Sequence, residues 1–431
     1  MNLRSFFIGA ALIFSNFLAV AQPAAWMEAA KQGDAAAQFQ VGGRLFFGKD
    51  APRNEEEAVK WFQRSADQGY VHAQFALGMA YEEGKGIAAD PNEAVKWYRR
   101  AADQGQDDAQ YRLGVMLASG AAGSPNLKES SVWFRRAAEV GHVHAQYALA
   151  RALEDGLGVA QNLQEAVSWY GRAAEKGHPI AQANLGFMLD EGLGVAPDPT
   201  AAIKWYRRAA EQGVDNAQNR LGKSLSDGRG VARNEKEAAT WFLRAATQGH
   251  VSAQYNLAVA YLSGRGVAQN DVEAATWFRR AAEGGHLKAQ HNLATMLVTG
   301  RGVTKNQEEA FGWYLRAAEK GEAVSQLSVG MMLKDGEGMP PNEAKAVEWY
   351  RRAAEQGHAP AQLHLGVTLA RGEGAPQDWK GSYFWLYLAA TQESQAVEYR
   401  DLVAKRLSPE EVSEIQARAS SWKPRVEANR G

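Results

Sequence analysis

Three groups of residues in this chain have types suited to chemistry, and in each the spacing argues against it. Glycine-rich segments such as Gly156-Leu157-Gly158-Val159 invite a phosphate loop, in which successive backbone amides cradle an anion. None has the Gly-x-Gly-x-x-Gly or Gly-x4-Gly-Lys-Ser/Thr spacing, and Gly222-Lys223-Ser224 lacks the glycine five places earlier. His142 and His144 stand two apart with no carboxylate-bearing metal motif nearby. There is no cysteine, which closes thiolate catalysis, disulfides and Cys-based zinc sites. Ser420-Ser421-Trp422-Lys423 matches the Ser-x-x-Lys of serine acyl transfer, without a Lys-Thr-Gly or Ser-Asp-Asn partner. Carboxylate pairs such as Glu82-Glu83 and Asp190-Glu191 fall at expected helix ends, where they should face solvent. The chain is therefore read as non-enzymatic: no catalytic residue, no cofactor, no metal ligand.

The elements that carry these residues are set by one feature. Tryptophan occurs at 61, 97, 133, 169, 205, 241, 277, 313, 349 and 385, ten times at a spacing of 36. A fixed period of this size is the mark of a stacked-repeat chain, in which each unit buries its apolar face against its neighbours. We number each unit from the glycine recurring between Gly33 and Gly357, the residue type expected just past a helix end. Alanine then holds position five (Ser325 excepted), glutamine position six from Gln38 to Gln362, Leu or Val position nine, Gly or Ala position ten, and Leu or Tyr position thirteen. This pattern predicts a first helix. A turn follows with glycine at sixteen and eighteen, the second missing from repeats one and three. Asn or Asp at position twenty-two (Asn54 to Asp378) predicts the N-cap of a second helix. Glu57, Glu93, Glu129, Glu165, Glu237, Glu273 and Glu309, three residues on, predict capping boxes. Tryptophan at twenty-nine and the small residue at thirty-three lie one helical turn apart on a single face.

The pattern Ala-Gln-x-x-Leu-Gly … Gly-x-Gly-Val … Asn-x-x-Glu-Ala-x-x-Trp-Tyr-x-x-Ala-Ala-Glu-x-Gly resembles the Sel1-like repeat family, relatives of the tetratricopeptide repeats, over residues 35–394. The resemblance implies an all-α fold, an α-solenoid of antiparallel helix pairs in a right-handed superhelix, with each first helix on the concave side. It also implies a protein-interaction adaptor and carries no shared catalytic residues.

Both ends of the array read as caps. Residues 22–34 form half a repeat with Ala29 and Ala30 in register, and residues 395–431 hold two further helices, the second opened by Ser408-Pro409-Glu410-Glu411. Before them, residues 1–21 read as a secretory signal: Arg4, an apolar run from Phe6 to Phe14, then Ala19-Val20-Ala21 as the cleavage site. Without a lipobox cysteine, a periplasmic or secreted protein beginning at Gln22 is expected, with no integral membrane segment once the signal is removed. The net charge of −1 and the lack of a basic run interleaved with aromatics argue against nucleic acid.

Within the first helix, positions six, nine, ten and thirteen are fixed and share one direction at about 100° per residue. Positions four, eight, eleven and fifteen vary between repeats and point the other way. Together with their neighbours they nominate Arg112, Arg151, Asn184, Arg220, Lys223, Tyr255, Asn256, His291 and Asn292 as partner-binding residues. Asn184, Asn256 and Asn292 share position eight, and their amides suit the backbone of an extended peptide. His72, His144 and His364 fall on the same face, while His142, His178, His250, His286 and His358 share position two. The expectation is a scaffold binding a protein or peptide in its groove. The competing expectation is a regulatory or assembly subunit of an envelope complex, docking through its edge or convex face.

Overall fold

The computed structural model describes residues 23–49 and 51–425, so the expected signal segment and Gln22 lie outside the described residues. Those described form 23 helices and no strand. Helix α1 (Pro23–Lys31) precedes ten pairs. The first helices run Ala35–Phe47, Val71–Glu83, Asp107–Ser119, Val143–Asp155, Pro179–Glu191, Asp215–Asp227, Val251–Ser263, Leu287–Thr299, Ala323–Asp335 and Ala359–Arg371. The second helices run Glu55–Asp67, Pro91–Asp103, Leu127–Glu139, Leu163–Glu175, Pro199–Glu211, Glu235–Thr247, Asp271–Glu283, Gln307–Glu319, Glu343–Glu355 and Trp379–Ala389. Ser394–Ala404 and Pro409–Ser421 close the chain. The helices group into two compact units that divide after Ala209. No helix among the described residues is long and apolar enough to cross a membrane.

Each pair is bound by the residues that do not vary. The position-six glutamines are buried, and all ten donate Nε2 to the carbonyl eight residues earlier, at 3.0–3.3 Å. That carbonyl belongs to the last turn of the preceding helix, which has no intrahelical donor for it. Gln68, Gln104, Gln248 and Gln356 at position thirty-six then donate to the Oε1 of the position-six glutamine in their own repeat, at 2.7–2.8 Å.

At position ten, glycine lets the second helix approach: a Cβ on Gly78 would lie 2.7 Å from the Tyr98 ring, and one on Gly222 2.7 Å from that of Phe242. The second turn glycine bears on the previous repeat. Gly266 has φ +73°, and a Cβ there would come within 2.0 Å of the Glu235 carbonyl oxygen.

The expected caps form, but not as boxes. All ten Asn or Asp residues at position twenty-two accept an amide of the first turn. Their own N–H, which a capping-box glutamate would take, instead donates to the position-thirteen carbonyl of the first helix at 2.6–3.0 Å. The glutamates are thereby released. Glu129, Glu165, Glu237 and Glu309 accept from the tryptophan Nε1 of their own helix at 3.1–3.4 Å. Arg99, Arg135 and Arg279 of the previous repeat pair with Glu129, Glu165 and Glu309. A reciprocal capping box occurs at Ser408 and Glu411, as expected there. Each tryptophan from Trp61 to Trp349 lies under an arginine three residues on, Arg64 to Arg352, with the guanidinium carbon 4.3–4.8 Å from the ring centre. The rings pack into the preceding repeat's core, Trp97 with Val59 and Phe62, and Trp133 with Ala94 and Tyr98.

The acidic helix ends depart from the solvent-facing expectation. Tyr98 and Tyr170 at position thirty donate to Glu82 and Glu154 at position fourteen, each at 2.5 Å, and Asp190 is buried. A hydroxyl at the foot of the helix pair needs an acceptor, and position fourteen faces it. Glu83 and Glu191 are exposed, as expected.

Candidate functional site

The first helix presents two kinds of variable position. Position eight is half-buried in all ten repeats, and contacts from it run to the preceding repeat, as from Asn256 to Asn219 and from Arg112 to Glu82; Arg151, Lys223, Thr295 and Met331 at position eleven are exposed. The half-buried side chains are spent on contacts within the protein. Asn184 donates Nδ2 to the Tyr170 hydroxyl at 3.1 Å, and Asn256 donates to Asn219 Oδ1 at 2.9 Å. Asn292 bonds the Tyr255 hydroxyl, whose pKa is raised by burial against the opposing effect of that bond. Arg112 sits half-buried 3.5 Å from Glu82, and Arg220 is half-buried as well. His291 lies 3.1 Å from the Ser325 hydroxyl, and burial lowers its pKa while Glu322 opposes the shift.

The exposed charges differ from one another. Arg151 pairs with Asp155 one turn on, at 3.2 Å. Lys223 forms no ion pair among the described residues. In the second unit the structure brings Lys223, Tyr255 and Asn256 together around a cavity of about 190 Å³, completed by Ser226, Asp227, Phe242 and Arg265. Arg112, Arg151 and Asn184 belong to the first unit, and no described cavity gathers them.

Sequence reading passed over two features of this face. The position-two histidines cap the first helices: Nδ1 of His142, His178, His250, His286 and His358 accepts the amide three residues on at 3.1–3.3 Å. Tyr111, Tyr147 and Tyr255 at position seven stack on His142, His178 and His286 of the next repeat, with centroids 4.7, 4.6 and 4.3 Å apart. The signal was present as a Tyr at position seven followed by a His thirty-one residues later. Arg265 was missed because it lies in the turn. No group of three or more His, Asp or Glu among the described residues is arranged to hold a metal ion.

The Sel1 repeat family model matches ten consecutive segments, 35–70, 71–106, 107–142, 143–178, 179–214, 215–250, 251–286, 287–322, 323–358 and 359–394. The chain belongs to the Sel1 repeat family. Among solved structures, this Sel1 repeat protein is similar to a protective antigen of uropathogenic Escherichia coli strains displaying an SLR fold. The two share 30% identity and a TM-score of 0.68, over 96% of this chain and 100% of that one. A Sel1 repeat protein from Oxalobacter formigenes is 34% identical with a TM-score of 0.56, over 72% of this chain and 90% of the other. No curated protein sequence matches the chain. Its α-solenoid fold is thereby shared with solved relatives, and Sel1 repeat arrays are in general scaffolds for protein interaction.

Proposed function

We propose that this protein is an exported, non-enzymatic scaffold that binds an extended peptide or protein segment on the first-helix face. One observation carries the reading. The packing positions are held constant through ten repeats while the exposed position-eleven residues of the same helices run Arg151, Lys223, Thr295 and Met331. Extended faces of this kind are what stacked repeats offer to partners. Export rests on Arg4, the apolar run after it and Ala19-Val20-Ala21.

Capture of partners from envelope fractions tests both parts, using wild type beside Arg151→Glu with Met331→Glu. Lys60→Glu with Lys236→Glu on exposed second-helix positions is the control. The first pair should lose a bound species that the control retains, with thermal melts of all three alike. Equal capture by both pairs would reject this face. N-terminal sequencing should find Gln22 first, and a retained Met1 on a membrane-bound protein would reject export.

A further inference from the structure

The cavity in the second unit differs from the corresponding places in repeats two and four in the residues at positions fourteen and thirty. In repeats two and four, position fourteen carries Glu82 and Glu154, filling the space over the tyrosines at position thirty. In repeat six these positions are Ser226 and Phe242, so the shorter serine replaces the carboxylate and no phenol stands opposite it, and the space opens between the first helices Asp215–Asp227 and Val251–Ser263. Lys223, Asp227 and Arg265 line it, and none of the three side chains has an ion-pair or hydrogen-bond partner among the described residues. Glu235, also at the rim, is already paired with Arg233. Two unpaired cations therefore face one unpaired anion around walls formed by Phe242, Tyr255 and Val259.

Size decides the class of occupant. Small-molecule sites usually measure about 300–1,000 Å³, and this cavity holds about 190 Å³, enough for one side chain and its flanking backbone. We propose that it receives a glutamate or aspartate side chain of an extended peptide laid along the first-helix face, the carboxylate lying between Lys223 and Arg265. The methylene stem packs against Phe242 and Tyr255. Asp227 repels a second acidic residue beside the first and favours a cationic or neutral neighbour. This assignment rests on the peptide-scaffold reading above and specifies its second-unit subsite.

The test uses the mature full-length protein and three blocked heptapeptides of alanine, with Glu, Gln or Lys as the central residue, titrated by calorimetry or NMR up to about 5 mM, where weak contacts still register. The Glu peptide should bind about tenfold or more tightly than the Gln peptide, as expected for a doubly charge-assisted contact, and the Lys peptide should not bind. Lys223→Ala with Arg265→Ala should remove the preference for Glu over Gln, while Asp227→Asn should strengthen Glu binding severalfold, a gain that mere damage to the fold would not produce. Equal binding of Glu and Gln peptides, no binding of either, or a Glu preference surviving the double substitution would overturn the proposal. Loss of captured partner in Arg151→Glu with Met331→Glu, alongside any of those results, would leave the scaffold reading standing and reject the acidic subsite alone.

Discussion

At the level of single side chains, the position-six glutamine shows how a repeat spends a buried polar group. Its Nε2 terminates the preceding helix, and its Oε1 needs a donor. Where Gln68, Gln104, Gln248 or Gln356 stands at position thirty-six the donor is present; repeats three, four and eight place Val140, Lys176 and Lys320 there, and Oε1 of Gln110, Gln146 and Gln290 is buried with no hydrogen-bond partner among the described residues. A buried acceptor without a partner costs about 1–3 kcal/mol. Val140 has φ −82°, ψ 0°, close to the φ −83°, ψ 3° of Gln104, and its side chain is exposed, so glutamine fits without strain. Val140→Gln should raise stability by about 0.5–1.5 kcal/mol, read as a higher urea midpoint at unchanged slope. A lower midpoint would mean that Gln110 Oε1 is already satisfied. The pairing of types at positions thirty-six and six could have been seen by laying the ten repeats side by side. The direction of each hydrogen bond could not.

At the level of helices and turns, two features give opposite lessons about glycine and histidine. Gly285 and Gly266 both have left-handed backbones, φ +87° and +73°, but nothing lies within 4 Å of a Cβ at the first, and the Glu235 carbonyl lies 2.0 Å from one at the second. Gly285→Ala should cost only the backbone strain of about 1–2 kcal/mol. Gly266→Ala should cost about 2–5 kcal/mol, because the repeat interface must also part. Equal losses in denaturant unfolding would deny that interface its role.

The histidine caps act through protonation. A cap through Nδ1 requires the neutral ring on that nitrogen, so protonation removes the acceptor and sets a positive charge at the positive end of the helix dipole. Burial, helped by the charge of His144, holds the His178 pKa down at about 4 from the usual 6.5, with Tyr147 stacked on the ring. Because the folded value is the lower one, the contribution is whole above pH 6.5 and is lost as pH falls from there through about 4. His286 and His358 are shifted the same way by burial. His178→Asn keeps a cap acceptor without a titrating group and should flatten part of the fall in melting temperature between those limits. An unchanged profile would remove His178 from the acid response.

On the scale of the molecule, the dense packing runs between consecutive helices, with closure at the C-terminal end, where Pro409–Ser421 returns against Trp379–Ala389. Stability is then a sum of neighbouring interfaces, and the position of a tryptophan decides its weight. Trp169 is 6% exposed in a cluster with Phe134, Leu149 and Tyr170, whereas Trp26 is half-buried in a terminal helix under Arg44. Trp169→Ala should cost about 3–5 kcal/mol and Trp26→Ala clearly less, because an end unit frays without parting the stack. Similar losses in both would argue that the array unfolds as one indivisible body.

The sequence alone determined the repeat, its helix boundaries, its caps and the division of each first helix into packing and variable sides. These depend on interactions within about four residues or on a period repeated ten times, and both are visible in one dimension. Tertiary structure decided where the remaining polar groups go. The N–H of each position-twenty-two residue goes to a carbonyl nine residues back, which left the seven expected capping boxes unformed and freed four of their glutamates, Glu129, Glu165, Glu237 and Glu309, for tryptophan and arginine contacts. The position-eight asparagines, read as open to a partner, each bond a neighbouring side chain, as Asn256 does with Asn219. Such choices depend on which acceptor the fold brings within about 3 Å, and spacing along the chain does not encode that distance.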